Sequence, residues 1–196
     1  MRHAPGVYSF EGVTPVIDPS AYVHPGATLI GDVIVGPGCF VAAGAVLRGD
    51  FGRIVMEREA NLQDNCVVHT LTDFDCVLAE HSHIGHGAVV HGAYVGRGVL
   101  VGMNAVVMDR SRIGDFTMVA AMSFVKIGAQ IPPRVLVAGV PAKVVRELTE
   151  QDLAGKARGT ALYIELAQRC LVGERPVEAL AAADAQRLAT RTRWEI

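Results

Sequence analysis

Aliphatic side chains return at every sixth position along most of the chain. The series runs Val23, Leu29, Val35, Val41, Leu47, then after an interruption Met56, Leu62, Val68, and after a second Leu78, Ile84, Val90. One shortened unit leads to Val95, and the count resumes at Val101, Val107, Ile113, Val119, Val125, Ile131 and Val137. Four positions after each aliphatic residue the side chain is usually small: Ala27, Cys39, Ala45, Ala60, Cys66, Ser82, Ala88, Ala105, Ser111, Thr117 and Ser123. Glycine often follows the aliphatic residue directly, as at Gly36, Gly85 and Gly114. This is the hexapeptide repeat of a parallel β-helix. Each unit supplies a short strand and a turn, and three units close one triangular coil. The aliphatic residue points inward, the small residue fits the corner, and glycine opens turn conformations at no steric cost. Coils stack at strand spacing, roughly 4.8 Å. A β-sandwich of alternating strands would require a period of two, which does not dominate.

The repeat ends near Val137, and VAGVPAKVVREL leads off the barrel. Thr149 opens a helix, with Asp152 as its capping-box partner. Leu153, Ala157, Leu162, Leu166 and Cys170 form an apolar stripe of helical spacing that suits packing against the β-helix, although Gly155 and Gly159 weaken it. The expected organisation is therefore a β-helix over 1–140 and a C-terminal helical extension over 141–196, with an Ala- and Arg-rich tail from Pro176 that forms a short second helix or frays.

Composition agrees with this fold and narrows function. The chain has 196 residues, 51% hydrophobic but only 6% aromatic, with 21 glycines, which suits a core of Val, Ile, Leu and Ala joined by tight turns. A net charge of −2 suggests neither nucleic-acid nor membrane-surface binding. No basic-then-apolar leader is seen and no apolar run is long enough to span a bilayer, so a cytoplasmic protein is expected. Cys39, Cys66, Cys76 and Cys170 form no CxxC pair and read as small apolar residues in a reducing compartment.

The repeat also gives IGHGAVVHGAYVG, Ile84 to Gly96, a meaning. Moving one face per unit, Val68 and Val90 fall on the same face one coil apart, with four extra residues looped out before Leu78. His69 and His91 directly follow those two residues, so they stack and point outward. His86 lies on a different wall and cannot easily join them within one chain. A second β-helix packed alongside brings its own His86 to the pair, and three prisms about a three-fold axis give three identical interfaces. Three neutral imidazoles with an open position make a catalytic-type zinc site. The bland alternative is three surface histidines without metal. His24 sits on a distant coil, His3 is terminal, and His81 and His83 read as surface or corner residues. Arg48 falls below His69, with Asp50 two residues later. Gln63 and Asp64 lie one coil below His86, and Asp64 shares its offset, so that the carboxylate orients a ligand or acts as a base. Asn61 and Asn104 are weaker candidates, with turn-forming or capping roles equally open.

LRGDFGRI, NLQDNCVVH and IGHGAVVHG resemble the matching segments of γ-class carbonic anhydrases. The resemblance implies a left-handed helix, a homotrimer, and zinc or another divalent metal such as Co or Fe held by His69, His86 and His91 across the subunit interface. It also implies an Arg48–Asp50 ion pair between adjacent chains and a role for Gln63 in holding metal-bound water. Phe51 stands where the best-studied anhydrases carry a Glu, and TLTDFDC offers Asp73 and Asp75 but no Glu, which removes a candidate base for CO2 hydration. From about Val13 to Cys170 the chain more closely resembles the PaaY/CaiE subfamily, in LRGDFGRIV, LQDNCVVHT, LVGMNAVVMD, FVKIGAQIP, GVPAKVVREL and LTEQDLA. That resemblance implies a thioesterase that hydrolyses CoA thioesters of a phenylacetate-degradation pathway by a metal-bound hydroxide. Asp64 and Gln63 are then the catalytic candidates. Phe51 and the 70–77 loop form an apolar wall for the acyl ring, and Lys126, Arg134, Lys143 and Arg146 are candidate cations for the CoA phosphates. Carbonic anhydrase, a CoA acyltransferase sharing the GxPAK exit, and a non-catalytic trimeric scaffold are the alternatives.

Overall fold

The computed structural model describes residues 6–183. The chain winds into a left-handed parallel β-solenoid of about seven turns, followed by one helix. Three walls run its length. The first stacks Val7, Leu29, Leu47, Val68, Val90, Val107 and Val125 in direct register. The second stacks Ile17, Val35, Met56, Leu78, Val95, Ile113 and Ile131. The third stacks Val23, Val41, Leu62, Ile84, Val101, Val119 and Val137. From Leu29 to Val125 each of these columns is essentially sealed from solvent, because every inward side chain is roofed by the next coil.

The small residues four positions on, from Ala27 to Ser123, are all buried at the corners, as their size requires. The glycines after the inward residue serve a different purpose from the one expected. They keep ordinary backbone angles, and what they allow is close approach. A Cβ at Gly85 would stand 2.9 Å from the Met103 nitrogen, and one at Gly102 2.4 Å from that of Ala121. Left-handed backbone falls instead on the third position after the inward residue, at Gly38, Asn65, His81, Gly87 and Asn104 among others. Asn104 is thus a turn residue. Asn61 is not, since it lies buried in a third-wall strand.

Two insertions break the count, both at the corner between the first and second walls. The strand Val46–Met56 runs unbroken around that corner and carries residues 50–53 with it. The loop 70–75 follows the strand Val67–His69 and closes on itself through a Leu71–Phe74 bridge. The insertions touch, since a Cβ on Gly52 would meet the Leu71 carbonyl at 2.3 Å.

The exit segment does not lead straight off the barrel. After Val135–Gly139 the chain reverses, and Ala142–Glu147 pairs antiparallel with it, capping the last coil. The helix Glu150–Gly173 then begins at Thr149 with the expected reciprocal capping box to Asp152. It lies along the third wall, where Tyr22, Phe40 and Ala42 receive Ala167, Tyr163, Leu166, Cys170 and Leu171. The expected stripe is therefore partly corrected. Leu166 and Cys170 face the wall, but Ala157 is exposed and Thr160 is buried in its place. The reason is the wall itself, whose outward ladder is aromatic and polar and selects Tyr163 and Thr160 over a purely aliphatic seam. From Glu174 to 183 the chain has no regular structure. The remainder of the tail and His3 lie outside the described residues.

Candidate metal centre at the first wall

The first wall brings His69 and His91 together as register demands, with Arg48, His69 and His91 on successive coils. The Nδ1 of His69 lies 2.9 Å from the Nε2 of His91. The remaining nitrogen of each ring is bonded to a carboxylate: His69 Nε2 to Asp50 Oδ1 at 2.9 Å, and His91 Nδ1 to Asp109 Oδ1. A carboxylate behind each imidazole fixes its tautomer and orientation and leaves the facing nitrogens unprotonated, with lone pairs available to a metal. Burial works against the charge of Asp50, but hydrogen bonds from Arg48 and then His69 outweigh it and hold the carboxyl below its ordinary pKa. Arg48 Nη1 donates to Asp50 Oδ2 at 2.5 Å, so this ion pair closes within one chain, where the resemblance implies a pair between chains.

Tetrahedral zinc with bonds of about 2.0–2.1 Å needs its nitrogens about 3.3 Å apart. The pair at 2.9 Å therefore fits a small divalent ion after a few tenths of an ångström of opening. One chain does not complete the set: among the described residues no group of three His, Cys, Asp or Glu side chains is placed to hold a metal. His86 lies at the corner after the third wall, exposed, with its Nδ1 2.8 Å from Asp64 Oδ2, the carboxylate one coil below. Its Nε2 is thereby left free to face a neighbour. The three histidines share one pattern, a carboxylate on one nitrogen and the other turned outward or toward its mate.

Asp109 was not foreseen. It sits two positions after Val107, the offset Asp64 has from Leu62, on the coil above His91. Direct register stacks it over Gly92, and it reaches His91 only diagonally, so counting along the repeat gives no signal for this contact. The ring of Phe51 is 5.2 Å from that of His69 and more than half exposed, so it does form an apolar lip to the pair. Leu71, from the second insertion, lies over Gly92 beside it.

The remaining candidates are placed as follows. Gln63 is buried on the third wall with its amide nitrogen donating to Asn61 Oδ1 at 3.1 Å, turned away from the imidazole pair of its own chain. His83 is not a surface residue. It is buried beneath the helix, its ring 5.4 Å from that of Tyr163, and burial with Lys156 nearby pushes its pKa down to about 3. Lys156 Nζ donates to the His81 carbonyl at 2.6 Å and to Thr160 Oγ1 at 2.9 Å, and burial lowers its pKa to about 7. His81 does occupy a corner and bonds Glu59. His24 stays on its distant coil, near Glu174. The four candidate phosphate cations do not converge. Arg134 and Arg146 hold Glu150 and Asp152 at the helix start. Lys143 lies on the exit strand opposite Ala138. Only Lys126 shares the imidazole column, two coils above His91.

Comparison with known proteins gives a consistent picture. The bacterial transferase hexapeptide (six repeats) family matches residues 14–49. The chain is 48% identical over 190 residues to the carnitine operon protein CaiE of Proteus sp. (strain LE138), covering 97% of this chain and 96% of that one. It is 50% identical over 180 residues to CaiE of Salmonella typhimurium, covering 92% and 91%. Among solved structures, a hexapeptide transferase family protein from Anaplasma phagocytophilum is 35% identical with a TM-score of 0.80, covering 86% of this chain and 98% of that one. A perosamine N-acetyltransferase variant from Caulobacter crescentus, bound to CoA and GDP-perosamine, is 30% identical with a TM-score of 0.50, covering 67% and 56%.

Proposed function

The chain belongs to the hexapeptide-repeat family of the carnitine operon protein CaiE, and from that premise we propose that it is a metal-dependent hydrolase of CoA thioesters. The observation that carries this reading is the imidazole pair, two donor nitrogens 2.9 Å apart, each ring held from behind by a carboxylate. An acyltransferase that uses one histidine as base has no need of two such rings face to face.

The complete site is a trimer interface. His69 and His91 would hold the ion together with His86 of the partner subunit. Support comes from the surface around them. The first wall carries an outward column of Val46, Val67, Val89, Val106 and Phe124 beside the histidines, none of them buried in the single chain. Met103 and Met122 are exposed on the coils above His86. An apolar stripe running the length of a wall is what a subunit contact covers.

A divalent ion so held would supply Lewis acidity for a thioester carbonyl and for a water molecule. The chain's own groups do the rest. Asp50 and Asp109 fix the two imidazoles, and Asp64 does so for His86. Phe51 and Leu71 exclude solvent from the mouth and give the acyl group an apolar surface. Ring-oxidised aryl-CoA thioesters are the expected substrates, and the carnitine operon relatives add thioesters with a quaternary ammonium group to the panel.

The test is CoA release from aryl-CoA thioesters by wild type and His91→Ala, before and after chelation and zinc return, with CO2 hydration recorded on the same samples. Metal-dependent release lost in His91→Ala supports the reading. CO2 hydration without thioester turnover would replace it with an anhydrase. A second reading, acyl transfer, is favoured by the likeness to the CoA-bound N-acetyltransferase. It requires transfer to an amine or alcohol acceptor that survives chelation.

A further inference from the structure

The loop 70–75 does more than wall the histidine pair. On its far side it faces the second wall across a cleft of about 370 Å³, lined by Asp73, Phe74, Asp75, Val77, Tyr94 and Arg112. The cleft is built. Arg110, two coils above the loop, clamps Asp73 through both carboxylate oxygens at 2.9 and 2.7 Å, and Thr70 Oγ1 donates to the Phe74 carbonyl, so the loop is tied at both ends. Tyr94 and Arg112 stand on adjacent coils in register, with Val77 below them as a floor.

Arg112 is the unusual member. Its guanidinium carbon lies 5.7 Å from the Phe74 ring centroid and 5.3 Å from that of Tyr94. Unlike Arg48, Arg53, Arg58, Arg97, Arg110, Arg134 and Arg146, it has no ion pair among the described residues. Its side chain is exposed and oriented by the two rings, leaving its planar fork of N–H donors uncommitted. Such a fork matches phosphate oxygens bidentately. The flanking aromatic faces suit a planar base, which stacks on aromatic rings and guanidinium planes alike. Asp75, which carries no ion pair among the described residues, supplies an acceptor for an exocyclic amine.

We propose that this cleft binds the adenine nucleotide end of coenzyme A, with the base against Tyr94 and Phe74 and a phosphate on Arg112. The assignment rests on the CoA thioester reading and deepens it. Tyr94 follows His91 by three residues on the same coil, and the loop starts directly after His69. The cleft is therefore within about 10 Å of chain from the imidazole pair, a span the phosphopantetheine arm bridges. The volume also agrees, since ligand clefts start at about 300 Å³.

Binding of 3′,5′-ADP, CoA and pantetheine to metal-free full-length protein would be measured by calorimetry. In that form nothing turns over, so failure of hydrolysis and failure of this site are separate results. The expected outcome is that 3′,5′-ADP and CoA bind, and that Tyr94→Ala and Arg112→Gln each weaken both at least tenfold without changing pantetheine. Arg97→Gln, which alters another arginine over a ring, should change nothing. Arg112 is exposed, so Arg112→Gln keeps the test valid if Tyr94→Ala fails to fold. No 3′,5′-ADP binding to wild type, or equal binding to both cleft variants, overturns the proposal. Binding of carnitine in place of the nucleotide would do so as well.

Discussion

Asp109→Ala isolates the contribution of one carboxylate to the imidazole pair. In the wild type Asp109 accepts from His91 Nδ1, which leaves Nε2 unprotonated with its lone pair facing His69. A hydrogen bond to an ionised partner is worth about 1.5–3 kcal/mol. Here the side chains are 29% and 17% exposed, so water screens part of that and the lower end applies. A loss of about 1.5–2 kcal/mol corresponds to a 10- to 30-fold weaker metal affinity, within the range for residues that orient metal ligands from behind. Asp109→Asn should fall between, because its amide oxygen still accepts but carries no charge. The assay is competition for zinc against a chromogenic chelator at pH 7.5, with a thermal melt on each variant. Asp115→Ala serves as control, since Asp115 serves the Arg97 backbone nitrogen at 2.9 Å and not a histidine. Unchanged affinity in Asp109→Ala, or the same loss in Asp115→Ala, would refute the reasoning.

Val67→Asp places a charge in the middle of the first-wall apolar column. If the proposed trimer is right, it should turn trimer into monomer by sedimentation velocity and abolish zinc binding although His69 and His91 are untouched; a trimer that persists contradicts the proposed interface. Lys156 has a folded pKa of about 7, below its ordinary 10.5. Between those values the unfolded chain binds a proton that the folded chain does not, so stability rises with pH across the window. The slope from this group is on the order of 1 kcal/mol per pH unit. Urea midpoints from pH 7.5 to 9.5 should show that rise in wild type and a flatter curve in Lys156→Met; parallel curves would show that Lys156 keeps its charge. Gly102→Ala sets a Cβ 2.4 Å from the Ala121 nitrogen, which is backbone and cannot swing away. It should cost about 3 kcal/mol or more, and an unchanged melting temperature would mean that the coils separate more easily than their packing suggests.

Much of the molecule is legible in its sequence because a period of six assigns each residue to one wall and one direction. Counting alone stacks Val68 under Val90, sets His69 beside His91, and puts Asp64 beneath His86, and the structure has all three. Counting fails where a side chain reaches across a corner or under another element. Asp109 meets His91 diagonally, from the coil above. His83 has the outward offset that the repeat gives it, yet it is buried, because the helix lies over that wall and sets Tyr163 against its ring.

The sequence by itself therefore determined the solenoid, its register, its inward columns and the pairing of two histidines. These follow from neighbours one coil apart, whose separation in the chain is nearly constant. The tertiary structure alone decided which wall the helix covers, which carboxylates support the imidazoles, and how the two insertions combine into a lip and a cleft. Those features depend on the shape and reach of side chains that meet from unrelated positions. Arg112 between Phe74 and Tyr94 is one case, and Lys156 over His81 is another. No repeat ties such contacts together, so only the folded chain brings them into range.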